Sequence, residues 1–187
     1  MSDTHVNKEY TVFQVAINLI LACVCSGVII GVVYFFTHHI AVEKTEMIKQ
    51  QSMKELVKEA ETFKEVPNKT EWFAAEKAGK VIAYVVPGET KGYGGPIKMQ
   101  VAVTTDGKVI DYNIMSSNET PGLGDNASKE PFRSQLKDKK VEHLVVVKDP
   151  SNKDDIQAMT GATISSKAVT KAVKEAVESV TAFAGGK

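Results

Sequence analysis

Four hydroxyls crowd the run Thr160-Gly161-Ala162-Thr163-Ile164-Ser165-Ser166, immediately before and inside a segment of helical periodicity. A helix start presents backbone N–H groups with no partner in the helix itself. Those donors, with the helix dipole, favour an anion. The same residues also serve as ordinary N-caps, since Ser and Thr are common there. Local chemistry leaves both readings open. A Walker phosphate loop is excluded, because GxxxxGK[ST] is absent.

Two glycine-bearing loops lie upstream. Glu119-Thr120-Pro121-Gly122-Leu123-Gly124-Asp125 has glycines that permit close backbone approach and a Pro-Gly pair that favours a tight turn. Lys91-Gly92-Tyr93-Gly94-Gly95-Pro96-Ile97 is similar. Each alone passes for a turn, and Glu119 and Asp125 alone pass for solvated loop carboxylates.

The elements that must position these loops are read from periodicity. Ala168, Val169, Ala172, Val173, Ala176, Val177 and Val180 make one apolar face of a final helix, opposite Lys167, Lys171, Lys174, Glu175 and Glu178. Ile97–Thr104 alternates, with Ile97, Met99, Val101 and Val103 on one face. Asp106-Gly107 turns it into Lys108–Met115, predicting a hairpin. Lys80–Val86 and Val141–Val147 read as further strands, and Ser116–Glu130 as a long loop of the kind that carries function. Residues 41–65 read as a charged helix ended by Pro67-Asn68. Trp72 and Phe73 read as core anchors.

From Thr11 to Phe36 no residue is charged. That is about 26 residues, or roughly 39 Å of helix, enough to cross a bilayer with some tilt. A signal-peptide core is far shorter. Ile20-Leu21-Ala22-Cys23 looks like a lipidation box, but apolar sequence continues well past Cys23. Gly27 and Gly31 form a GxxxG pair, and Gln14 and Asn18 share a side, pointing to packing against partner subunits. Flanking charge barely discriminates the orientation. Both cysteines, Cys23 and Cys25, lie in this segment, so the remainder has no disulfide framework and no thiolate metal site. His5, His38, His39 and His143 show no ligand spacing beyond the adjacent pair His38-His39 near the membrane, and no metal site is expected. The 23 basic residues balance 23 acidic ones without a basic stripe, which argues against nucleic-acid binding. The fold class expected is α+β: one transmembrane helix, then a soluble domain with a largely antiparallel sheet and a C-terminal helix.

Together the three motifs, in this order behind one span, resemble the FMN-binding domain of the RnfG/NqrC family, components of ion-translocating electron-transport complexes. In that family a [ST]GA[ST] tetrapeptide receives FMN as a phosphoester on its final hydroxyl. The tetrapeptide here is Thr160–Thr163, so the resemblance implies covalent FMN on Thr163. Glu119–Gly124 matches the family's ETPGLG loop. Gly92–Ile97 matches GYGGPI, closer to RnfG than to NqrC. The implied FMN contacts are Thr160, Gly161, Ala162, Ile164, Ser165 and Ser166 at the helix start, Glu119, Thr120, Gly122, Leu123 and Gly124 against the flavin, and Tyr93 and Gly94. One departure stands out: the family often has Asp six residues before the acceptor, where this chain has Gln157.

The resemblance implies a division into residues 1–10 (tail), 11–36 (transmembrane helix), 37–66 (connecting helix) and 67–187 (FMN-binding domain). It implies an electron-relay subunit of a ferredoxin:NAD-type complex in the cell (inner) membrane, single-pass, with the flavin domain outside the cytoplasm. Its partners would be the other membrane subunits, the lipid bilayer and a flavin transferase for maturation, with little turnover expected of the isolated chain. The rival expectations are an NqrC-type subunit of a sodium-pumping NADH:quinone oxidoreductase and a non-catalytic bitopic sensor or scaffold.

Overall fold

The first regular element, α1, runs without interruption from Val12 to Leu56. The computed structural model describes residues 12–185, with 38–46 given by backbone alone. The expected tail and His5 lie outside the described residues. Within α1, Val12–Thr37 is long and apolar enough to cross a membrane. Its large side chains, among them Phe13, Leu19, Ile20 and Phe36, are exposed. Polar side chains on it bond to the helix's own carbonyls: Ser26 Oγ donates to the Ala22 oxygen at 2.8 Å and Thr37 Oγ1 to the Val33 oxygen at 2.7 Å. That is how polar groups are satisfied where water is scarce.

The chain divides at Ile48 into two compact units, and the second, from Lys49 onward, holds the sheet. Five strands follow one another: β1 (Thr62–Glu65), β2 (Phe73–Lys77), β3 (Lys80–Lys91), β4 (Pro96–Thr104) and β5 (Val109–Ser116). They pair in sequence order, every pair antiparallel. The β4–β5 hairpin is the one expected. Both faces of the sheet are covered. On one, Val86, Met99, Val101 and Val103 pack against Val169, Val173, Val177 and Val180 of α3 (Thr163–Gly185). On the other, Met53, Leu56, Val57 and Ala60 pack against Phe73, Ala75, Ala83, Val85 and Ala102. Trp72 is buried, with its ring edge-on to Phe183 at 5.5 Å.

Three expectations are corrected. The helix read over 41–65 stops at Leu56, and residues 62–65 are strand. Glu61 N–H donates to the Glu76 carbonyl at 2.8 Å, so β2 captures the backbone before another helical turn can form. The strand read over Lys80–Val86 extends to Lys91 through Pro87 and Gly88, because β4 continues to pair with it out to Lys91 and Pro96. Val141–Val147 is mostly not strand. Val141–His143 is a single 3-10 turn, and only Val146–Val147 (β6) pairs, in parallel, with Ile156–Gln157 (β7). Of its apolar residues only Leu144 is buried. A short helix unanticipated from sequence, α2 (Phe132–Leu136), sits on β5. There Arg133 holds Asp111 through Nε at 2.7 Å and Nη2 at 3.0 Å.

The sheet's outer edges are β1, which is short, and β5, which is engaged at its Val109 end. β1 has four residues, two of them Lys64 and Glu65. On β5, Val109 N–H donates to Lys139 and its carbonyl accepts from Asp138.

Candidate functional site

The three glycine- and hydroxyl-bearing segments meet around one buried carboxylate. Glu119, only 9% exposed, accepts from the Gly94 N–H through Oε1 at 3.0 Å and from the Ser165 hydroxyl through Oε2 at 2.5 Å. One side chain therefore ties the β3–β4 turn, the 119–124 loop and the first turn of α3 together. This corrects the solvated-carboxylate reading of Glu119: at this burial a carboxylate needs donors, and it has two. The approach demands glycine. A Cβ on Gly94 would stand 1.9 Å from the Asn118 carbonyl oxygen, and one on Gly124 would stand 2.2 Å from Glu119 Oε2.

The 119–124 loop continues into a 3-10 turn, Gly124–Ser128. Tyr112, buried on β5, anchors it by donating its hydroxyl to the Ala127 carbonyl. Burial pushes that phenol well above its ordinary range, so it remains a donor. Asp125, also read as a solvated carboxylate, is half-buried and bonds Lys129 at 2.7 Å. The Lys129 ammonium holds its carboxyl below the usual range.

At the head of α3, Ser166 is fully buried. Its hydroxyl accepts from Met159 N–H at 3.0 Å and donates to the Ala162 carbonyl at 2.9 Å, closing the turn that presents Thr163. The backbone N–H groups of Thr163, Ile164 and Ser165 meet no acceptor among the described residues. Thr163 itself is half-buried.

A cavity of about 590 Å³ opens in front of this arrangement, lined by Tyr93, Glu119, Thr120, Leu123, Gly124, Lys148, Gly161, Ala162, Thr163, Ile164 and Ser165. Its size falls in the ordinary range for small-molecule sites, roughly 300–1,000 Å³. Its rim is apolar where Tyr93 (72% exposed), Ile164 and Leu123 project. A smaller hollow of about 360 Å³ adjoins it, lined by Lys148, Pro150, Gln157, Ala158, Met159, Thr160, Gly161 and Thr163.

Ten of the residues expected from sequence line the larger cavity, and Thr160 lines its neighbour. Gly94, Gly122 and Ser166 line neither. Gly94 gives its N–H to Glu119, Gly122 turns the chain at φ +77°, and Ser166 braces the helix start from behind. Lys148 is the cavity residue that sequence reasoning missed, because it belongs to no motif. Gln157 braces a loop: its side-chain amide donates to the carbonyls of Asp149 (2.8 Å) and Asn152.

The family model for the FMN-binding domain matches residues 92–178, which include all three motifs. The RnfG-type component of the proton-translocating ferredoxin:NAD(+) oxidoreductase complex of Clostridium ljungdahlii is 58% identical over 179 residues, 96% of this chain and 97% of that one. The chain belongs to the RnfG family. The corresponding component of the Na(+)-translocating ferredoxin:NAD(+) oxidoreductase complex of Acetobacterium woodii is 39% identical over 112 residues, 58% of this chain and 54% of that protein. Among solved structures, the NqrC-type component of the Na(+)-translocating NADH-quinone reductase of Parabacteroides distasonis aligns with a TM-score of 0.51 at 26% identity, over 60% of this chain and 61% of that one. NqrC of Shewanella oneidensis aligns at 0.52 and 21%, over 70% and 74%, a likeness of fold. The NqrC-type expectation is not favoured: the C. ljungdahlii protein matches almost end to end at high identity, and the NqrC proteins match more distantly. The α+β expectation is met, with one N-terminal apolar helix, an antiparallel sheet and a C-terminal helix.

The residues present suit an FMN. Donors at a helix start face a phosphate position. An apolar rim suits a planar ring, and the glycines let backbone approach it closely.

Proposed function

We propose that this chain is the electron-relay subunit of a membrane-bound ferredoxin:NAD-type ion-translocating oxidoreductase, with FMN esterified through its phosphate to the Thr163 hydroxyl. The observation that carries this reading is the position of Thr163. It is half-buried at the mouth of α3, beside the unpartnered N–H groups of the first turn and on the wall of a cavity large enough for a flavin. When bound, FMN supplies the redox chemistry, accepting and passing on electrons. The chain's own part is positional. The first turn of α3 holds the phosphate end, Leu123 and Ile164 flank the ring, and Tyr93 at the rim leaves the site open towards neighbouring carriers. Glu119 keeps the three segments in register.

In this reading Val12–Thr37 spans the membrane once and packs against other subunits of the complex. The flavin domain faces away from the cytoplasm, and a flavin transferase installs the cofactor. The residue divisions 1–10, 11–36, 37–66 and 67–187 serve as a working division, with the end of the connecting segment, from Lys49, built into the domain. The isolated chain turns over little without its partners.

Denaturing electrophoresis followed by ultraviolet illumination tests the linkage. The natively matured chain gives a fluorescent band, and Thr163→Val, which still folds, gives a dark one. A Thr163→Val band as bright as wild type, or an unmodified tryptic peptide from matured protein, overturns the assignment.

A further inference from the structure

Lys148 follows β6 directly, and its place is fixed by backbone pairing. Val146 and Val147 lie beside Ile156 and Gln157, and Ala158 N–H donates to the Val147 carbonyl at 2.9 Å. This brings Lys148 to the strand-to-helix passage that ends at Thr163. Lys148 lines both the larger cavity and its smaller neighbour, and Gly161 and Thr163 are the two other residues that the hollows share. No other Lys or Arg lines either hollow. Among the described residues Lys148 is in no ion pair. The cavity's carboxylate, Glu119, is already engaged by Gly94 and Ser165.

A phosphoester on Thr163 carries one negative charge. The N–H groups of the first helical turn answer it with partial charges only, and a full positive charge completes the balance. Resting on the Thr163 reading above, we propose that Lys148 is the cationic partner of the phosphate joined to Thr163, a positioning residue that holds the phosphate end of the flavin between the two hollows. Lys148 is exposed, so the pair forms at the surface and weakens with salt.

The test uses the full-length chain in detergent, natively matured, beside the unflavinylated Thr163→Val chain. Amine acylation at Lys148, followed by peptide mass spectrometry, should be slower in the flavinylated chain by about threefold at low salt, the scale of an exposed ion pair. The difference should shrink at high salt. Thermal melting gives an independent reading. Lys148→Met should lower the Tm of the flavinylated chain by roughly 2–4 °C and leave the Thr163→Val chain unmoved, and Lys148→Arg should restore the flavinylated Tm. Equal acylation rates in the two chains overturn the proposal, as do Tm losses of equal size in both. A wild-type chain that carries no flavin mass refutes the Thr163 reading instead, so the two failures are told apart before Lys148 is touched.

Discussion

Strand β4 begins and ends in a glycine turn, and the two turns work differently. At its C-terminal end, the Asp106-Gly107 turn is closed by its own neighbours. Gly107 N–H reaches the Thr104 carbonyl at 3.1 Å, and Lys108 N–H reaches the Thr104 hydroxyl at 2.9 Å. Gly107 has a left-handed backbone angle, φ +79°, and a Cβ there would also meet the Thr181 hydroxyl at 2.8 Å, a side-chain atom rather than backbone. At the N-terminal end, the Gly92–Gly95 turn has one bond of its own, Gly92 N–H to the Gly95 carbonyl at 2.8 Å. Its other bond goes to Glu119, far along the chain. Gly94 is there for room, since the Asn118 carbonyl passes where a side chain would stand. One turn serves the hairpin and the other serves the site. A glycine needed for its angle is legible as a turn, whereas a glycine needed for clearance implies a second segment that local sequence does not name.

Single substitutions sharpen this contrast. Gly94→Ala should have the largest effect, because the obstructing atom is backbone and cannot rotate away. We expect a loss of roughly 3 kcal/mol in urea unfolding, together with a fall in bound flavin. Glu119→Ala comes next. It strands the Gly94 N–H and the Ser165 hydroxyl, and two bonds to a charged acceptor suggest about 2–3 kcal/mol, again with lost flavin occupancy. Gly107→Ala is the smallest, about 1–2 kcal/mol for a left-handed Ala, and flavin content per folded chain should stay unchanged. If Gly107→Ala depletes the flavin as Gly94→Ala does, or if Gly94→Ala melts like wild type, the distinction between the two turns collapses.

Much of the architecture is written in local pattern. The apolar stripe from Ala168 to Val180 is long and regular, and every residue named on it is buried. The Ile97–Val103 alternation likewise marks both the strand and the face it turns to the core shared with α3. The failures have physical reasons. Phe73, Ala74 and Ala75 of β2 are all buried, so no alternation marks the strand. The charged stretch after Leu56 has helix-like composition, but pairing with β2 takes its N–H groups, and no local signal announces that. Val141–Val147 is apolar, yet only its Leu144 is buried in the core. At the site, the hydroxyl-rich helix start and both glycine loops are visible as motifs. Glu119 is visible as a residue but not as the hub, because its partners lie 25 and 46 residues away. Lys148 carries no signal at all, since its placement depends on two residues of parallel pairing.

The blunted margins of the sheet have a consequence for how such a domain lives among copies of itself. Anchored proteins are confined to two dimensions, where encounters are frequent, and an open strand margin invites a neighbour to continue the ladder. Here one margin is a four-residue strand bearing Lys64 and Glu65, and the other is already engaged at Val109 by Asp138 and Lys139. At those two places crowded copies find little backbone to pair with, and side-chain surfaces, which can discriminate a rightful neighbour from another copy, gain weight in association.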